Sequence, residues 1–193
     1  MHIDPKILAL IVVVVLLLVA VFAAMLQRRK AALRRRFGPE YDRTVRQRGS
    51  EREAQALLQE REQRVEKFHI RQLDAIQRQQ YADRWRTVQS RFVDDPKGAV
   101  IDADDAVISL MGARGYPMAD FEQRAADLSV DHPHVVENYR AAHVIALRHR
   151  QGQATTEDLR QAMIYYRSLF EDLLDGHRLG AIGKPEAIRR EVA

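Results

Sequence analysis

The pattern of apolar and polar positions divides the chain into three regimes. From Ile7 to Leu26 it runs ILALIVVVVLLLVAVFAAML, twenty residues without a charge, glycine or proline. A helix of that length rises about 30 Å, the thickness of a bilayer's hydrocarbon core. In lipid the backbone must satisfy its own hydrogen bonds, so even a valine-rich run predicts a helix there. The run therefore predicts a transmembrane span, continuing as helix to about Arg36. A cleaved signal peptide is the rival reading, with Ala20, Ala23 and Ala24 near a cleavage site. Such peptides have an apolar region of only about 7–15 residues, preceded by positive charge. Here Met1–Lys6 sets one Lys against one Asp, and the basic cluster follows the run.

The second regime is polar with a thin apolar stripe. Gly38-Pro39 breaks the first helix, and Pro39 opens a short one over Glu40–Arg48 that Gly49 closes. Ser50, with Glu53 three residues on, matches a capping box. The helix it starts, Glu51–His69, has Ala54, Leu57, Leu58, Val65 and Phe68 as its apolar positions, interrupted by Arg61. This predicts a helical stalk over 37–71, the helix being a stalk helix or a short coiled-coil seam. The repeat is too brief to fix an oligomeric state, and it leaves a homo-oligomer through the stalk open.

The third regime, 72–175, has wide apolar stripes at helical period. A helix begins near Asp74 with Ile76, Tyr81, Trp85, Val88 and Phe92 on its apolar face, and Trp85 reads as a core anchor. Asp95-Pro96 caps the next, Lys97 to about Arg114. A short helix over Ala119–Leu128 follows, then one capped by Asp131 and running to about Arg150. The last, Glu157–Leu174, carries Leu159, Ala162, Met163, Tyr166, Leu169, Phe170 and Leu173. No strand-like alternation competes. The fold class expected is all-α: an N-terminal transmembrane helix (anchor and basic segment 1–36, span 7–26), a helical stalk and a small helical bundle. The segment 176–193 is expected to be a poorly ordered tail.

Charge sharpens this picture. The pI of about 9.6 invites a nucleic-acid reading. Residues 1–36, however, hold seven positive charges and one negative, whereas 37–193 hold 24 positive and 26 negative. The excess is juxtamembrane: Arg28, Arg29, Lys30, Arg34, Arg35 and Arg36. Six basic residues beside a span predict contact with anionic lipid head groups and, by the positive-inside rule, an N-terminus outside and a cytoplasmic C-terminal domain. The domain offers no general basic footprint for DNA or RNA. Residues 43–91 are net +5 and residues 92–175 net −7, which reads as a pair of solvated faces or, more sharply, as two halves that attract one another or of which one recruits an oppositely charged partner. Cysteine is absent, which removes disulfides, thiolate metal sites and Cys nucleophiles.

Candidate chemistry is sparse. His132, His134, His143 and His149 lie within eighteen residues. His143 and His149 are six apart, about 240° around a helix, and share no face. His132 and His134 flank Pro133 and would join Asp131 on a metal only if the loop folded back. Asp102, Asp104 and Asp105 lack the glycine and terminal glutamate of a calcium loop. Phosphate loops, dinucleotide turns and nucleophile elbows are missing. No catalytic residue, cofactor or metal site is therefore assigned. Asp131, His132, His134 and His143 form the candidate ligand or partner site, and Phe121–Leu128 is a candidate partner-groove helix.

The stretches Arg36-Phe37-Gly38-Pro39-Glu40-Tyr41-Asp42-Arg43, Arg91-Phe92-Val93-Asp94-Asp95-Pro96 and Phe121–Pro133 (FEQRAADLSVDHP), with Tyr139-Arg140-Ala141-Ala142-His143, resemble a group of uncharacterised bacterial proteins with one N-terminal span and a helical soluble part. The resemblance implies a bacterial inner-membrane setting and brings no activity with it. The sequence thus points to a membrane-anchored helical interaction or scaffold protein with a protein partner. The alternatives are an enzyme or small-ligand binder built on the His132–His143 region, and an exported helical domain of reversed topology.

Overall fold

The computed structural model of the chain describes residues 5–176, with side chains from Val13 onward. The tail expected after Gly176 lies outside the described residues. Eight helices account for most of what is described: α1 Pro5–Phe37, α2 Pro39–Arg48, α3 Glu51–Val65, α4 Ala75–Asp94, α5 Pro96–Arg114, α6 Phe121–Asp131, α7 Val136–Arg150 and α8 Thr156–Asp175. The described residues contain no strand, so the all-helical expectation holds.

The bundle is organised around α8, which packs on α4, α5 and α7. Its apolar positions Leu159, Ala162, Met163, Tyr166, Leu169, Phe170 and Leu173 are all buried, as their helical spacing requires. Trp85 of α4 stacks on Phe170, ring centroids 4.6 Å apart and planes 20° from parallel. Local chemistry sets the helix ends. Asp74 with Gln77 and Thr155 with Asp158 complete capping boxes, and the Asp95 carboxylate accepts from the Gly98 amide at 2.9 Å.

Residues 37–71 are not a free-standing stalk. The chain reverses at Gly38, whose φ of 49° lies in the left-handed region that favours glycine, and α2 folds back along α1. Helix α3 then packs on α1, α2 and α6. Leu33 and Phe37 from the last turns of α1 join Tyr41, Leu58, Val65 and Val130 in a second core, with Phe68 and Ile70 packed against both cores. Because the α3 stripe is covered from within the chain, the coiled-coil seam expected on this helix is not exposed to a second copy.

Two boundaries differ from the sequence expectation, each for a tertiary reason. Helix α3 ends at Val65 instead of His69. The connection after it is pinned to the end of α5, where the Arg71 amide donates to the Arg114 carbonyl at 2.9 Å. There Gly115, at φ 93°, sits so near the His69 carbonyl that an added Cβ would approach its oxygen to 2.4 Å. Asp131 is not a helix cap. It is the last residue of α6, and α7 starts only at Val136. Proline at 133 disfavours helical geometry at the residue before it, and His132 takes φ −129°, ψ 48°.

Burying a Phe side chain contributes roughly 1.5–3 kcal/mol, and deleting one from a closed core costs about 3–5 kcal/mol. Phe37 is fully buried while Phe22 is 64% exposed. Phe37→Ala is therefore expected to lower the urea midpoint of the purified chain and expose α2–α3 to limited proteolysis. Phe22→Ala is expected to leave both unchanged.

Candidate functional site

The histidine region divides into two unconnected places. At the α6–α7 corner, His132 is fully buried and its Nδ1 bonds one oxygen of Asp172, on α8. The other oxygen of Asp172 lies 3.1 Å from His134 Nε2. Asp131 accepts from the Tyr116 hydroxyl at 3.2 Å. Burial alone would push the Asp172 carboxyl up. The His132 bond and the charge of both imidazoles outweigh it and hold the group below the usual carboxylate range. A histidine oriented by a carboxylate is half of a nucleophilic triad, but His132 Nε2 is itself buried and has no partner among the described residues. It offers no exposed base, so the arrangement fastens the α6–α7 corner to α8. No group of three metal-ligating side chains occurs among the described residues.

His143 stands elsewhere, on α7, stacked on Phe121 with ring centroids 3.5 Å apart and planes 7° from parallel. The pair borders a cleft of about 430 Å³ whose lining includes Arg43, Glu122, Arg140, Val144 and Leu147. Burial, partly opposed by Asp104, lowers the imidazole from its ordinary value, favouring the neutral ring. No described carboxylate is hydrogen-bonded to it, and its Nδ1 is buried without a partner among the described residues. Burial raises the carboxyl of Asp104, on α5, partly opposed by Tyr166 and His143. The cleft is thus an apolar and aromatic recess rimmed by charge, without a base, an orienting acid and a nucleophile in mutual reach.

Next to it lies a charged junction that the sequence reading missed. Glu40 of α2 is fully buried, and its Oε1 accepts from Arg61 of α3 at 3.0 Å and from Arg140 of α7 at 3.1 Å. Arg140 also bonds Glu122 at 2.9 Å, and Arg64 bonds the buried Asp127 of α6 at 2.7 and 2.9 Å. A second cleft, about 300 Å³, runs beside this junction between Leu57, Arg61, Arg64, Glu122 and Arg140. The available signal was Arg61 itself: an arginine in the apolar stripe of α3 occupies a buried position and needs a carboxylate there. The candidate groove helix, now α6, is the element that meets these arginines.

The six basic residues that follow the apolar run also divide. Lys30 bonds Glu51 at 2.5 Å, Arg34 bonds Asp42 at 3.1 Å and Arg36 bonds Glu62 at 3.1 Å. Arg28, Arg29 and Arg35 are exposed, with no side-chain partner among the described residues. Three of the six thus stitch α1 to α2 and α3. Among the described residues no helix is long and apolar enough to cross a membrane. The side chains of the first part of the run Ile7–Leu26, through Val12, lie outside the described set.

Comparison with known proteins adds no identity: no family model, no curated protein and no solved structure matches the chain.

Two outcomes follow from these geometries. Glu40→Gln leaves two buried guanidiniums without their shared charge, and breaking such a buried pair costs about 3–5 kcal/mol. Chemical unfolding is expected to show a loss of that size, with α2 and α3 becoming protease-sensitive first. For Asp172 the folded value lies below the unfolded one of about 3.9, so its contribution is complete above that pH and disappears as pH falls through the folded value. Asp172→Asn is expected to flatten the acid limb of a stability–pH profile measured by thermal unfolding.

Proposed function

We propose that this chain is a single-pass membrane-anchored helical interaction protein. Ile7–Leu26 forms the anchor, the N-terminus faces out, and the domain stands at the cytoplasmic face of a bacterial inner membrane. The observation that carries the reading is the state of α1. From Val13 to Leu26 its large apolar side chains are exposed, between 46% and 64%, and no other helix covers them. Eleven residues later the same helix ends inside the domain core at Phe37. An uncovered apolar helix in water is a liability, and lipid removes it. The proposal takes the whole sequence run from Ile7, about 30 Å of helix.

The absence of assembled acid–base or nucleophilic geometry among the described residues favours binding over chemistry. The His143 cleft is the observation that keeps a small-ligand reading in view, and its apolar, aromatic lining suits a binder better than a catalyst. Helix α6 borders both clefts and is the surface we assign to a protein partner.

Membrane fractionation and topology test the reading together. The chain is expected to resist alkaline carbonate extraction, and the domain to survive protease added to intact spheroplasts. Extraction into the soluble fraction would remove the anchor, while digestion from outside would reverse the topology in favour of an exported domain. Crosslinking in mild detergent is expected to capture a specific partner through α6. Replacing the exposed Glu122 is expected to reduce that yield several-fold.

A further inference from the structure

We infer that the α2–α3 corner is a second lipid-binding element, with Arg46, Arg48 and Arg52 joining Arg28 and Arg29 in a collar that takes the phosphate groups of anionic phospholipids. The inference rests on the anchor proposed above and adds a part of the chain that lies 20 residues beyond it in sequence.

Ion pairs between the helices supply the register. Arg34 of α1 meets Asp42 of α2 at 3.1 Å, and Lys30 meets Glu51 at the start of α3 at 2.5 Å. Arg36, farther along α1, meets Glu62 at 3.1 Å. Helix α2 therefore runs back toward the apolar part of α1, and α3 runs away from it. The corner between them, residues 46–52, falls at the level of Lys30. That is four residues past Leu26, about 6 Å of helix, which is head-group depth if the span ends at Leu26.

The corner is built to present cations there. Arg46, Arg48 and Arg52 are exposed, and none has a side-chain partner among the described residues. Arg28 and Arg29 share both properties on α1 itself. The nearby carboxylates are Asp42, held by Arg34, Glu51, held by Lys30, Glu53 in the first turn of α3 and, in the cleft that Arg48 also lines, Glu122, held by Arg140, and Asp120, which caps α6. Five unpartnered guanidiniums thus stand against two carboxylates that have no ion pair among the described residues, Glu53 and Asp120. Arginine binds phosphate through parallel N–H donors, and juxtamembrane arginines gain from the negative potential of an anionic leaflet. The fold keeps the corner in place, because α2 and α3 are locked to α1 through Phe37, Tyr41 and Leu58.

Energy transfer in nanodiscs tests this. The full chain, which has no cysteine of its own, carries a donor at the exposed Gln47→Cys. It is placed in phosphatidylcholine discs doped with a trace acceptor on either phosphatidylglycerol or phosphatidylcholine. The expected result is several-fold enrichment of the phosphatidylglycerol acceptor beside residue 47, weakening at high salt. R46E/R48E/R52E is expected to abolish the preference, whereas R46K/R48K/R52K retains most of it. Circular dichroism and the urea midpoint check that each variant is folded. R28Q/R29Q, on the other helix, is expected to reduce the preference as well. Equal transfer from the two acceptors in the unsubstituted chain, or a preference that survives the glutamate substitutions in a folded variant, overturns the collar and leaves the anchor standing. A chain that elutes apart from the discs overturns the anchor, and the collar with it.

Discussion

One carboxylate holds the two halves of this protein in register. Glu40 is closed off from water and lies between guanidiniums supplied by α3 and α7. A charge in that setting is tolerable only when its partners are present, and the partners are tolerable only with it. The junction is therefore conditional. Helices α2 and α3 cannot settle against α6 and α7 without delivering Glu40 and Arg61 together, and α7 cannot bury Arg140 unless they do. Apolar contacts among Phe37, Tyr41, Leu58 and Val130 supply adhesion at the same seam. The ionic cluster supplies its alignment.

The same seam explains what could be read from the chain alone and what could not. Helices α4, α5 and α8 were legible because their faces repeat with helical period and their ends carry Asp74, Asp95-Pro96 and Thr155. The element at 37–71 was legible as helix but not as part of the body. A thin stripe with an arginine in it looks like a solvated stalk until Glu40, 21 residues earlier, and Arg140, 79 residues later, are brought beside Arg61. Long-range pairing of that kind has no local signature. The histidines show the converse. His132, His134 and His143 are close in sequence, yet Pro133 ends α6 and turns the first two toward Asp172, while α7 carries the third to Phe121.

With those groups placed, the domain offers surfaces more readily than chemistry. Three ionisable side chains fasten helices: the partly buried Asp172 at the α6–α7 corner, and the buried Asp127 against Arg64 and Glu40 at the seam. The accessible surfaces among the described residues include one cleft with apolar and aromatic walls, a second with arginine walls, the short helix between them, and a smaller recess of about 170 Å³ between α4 and α8. A protein that binds at α6 touches the element whose inner side carries Asp127 and Ser129, both in contact with α3. Recognition at that face is thus mechanically continuous with α3 and, through it, with the end of α1.

The unbroken course of α1 into the core gives the domain a fixed standoff. From Gln27 to Phe37 there is no loop, only about 15 Å of helix whose last turns are clamped by neighbours. Flexible tethers let a domain sweep a hemisphere and raise its local concentration over a broad volume. On the anchor proposed above, a stem of this kind would do the opposite: it would remove the swivel and hold the domain at one height above the lipid. Encounters would then be selected by geometry before they are selected by affinity, and the partner proposed for α6 would have to arrive along the membrane at that level.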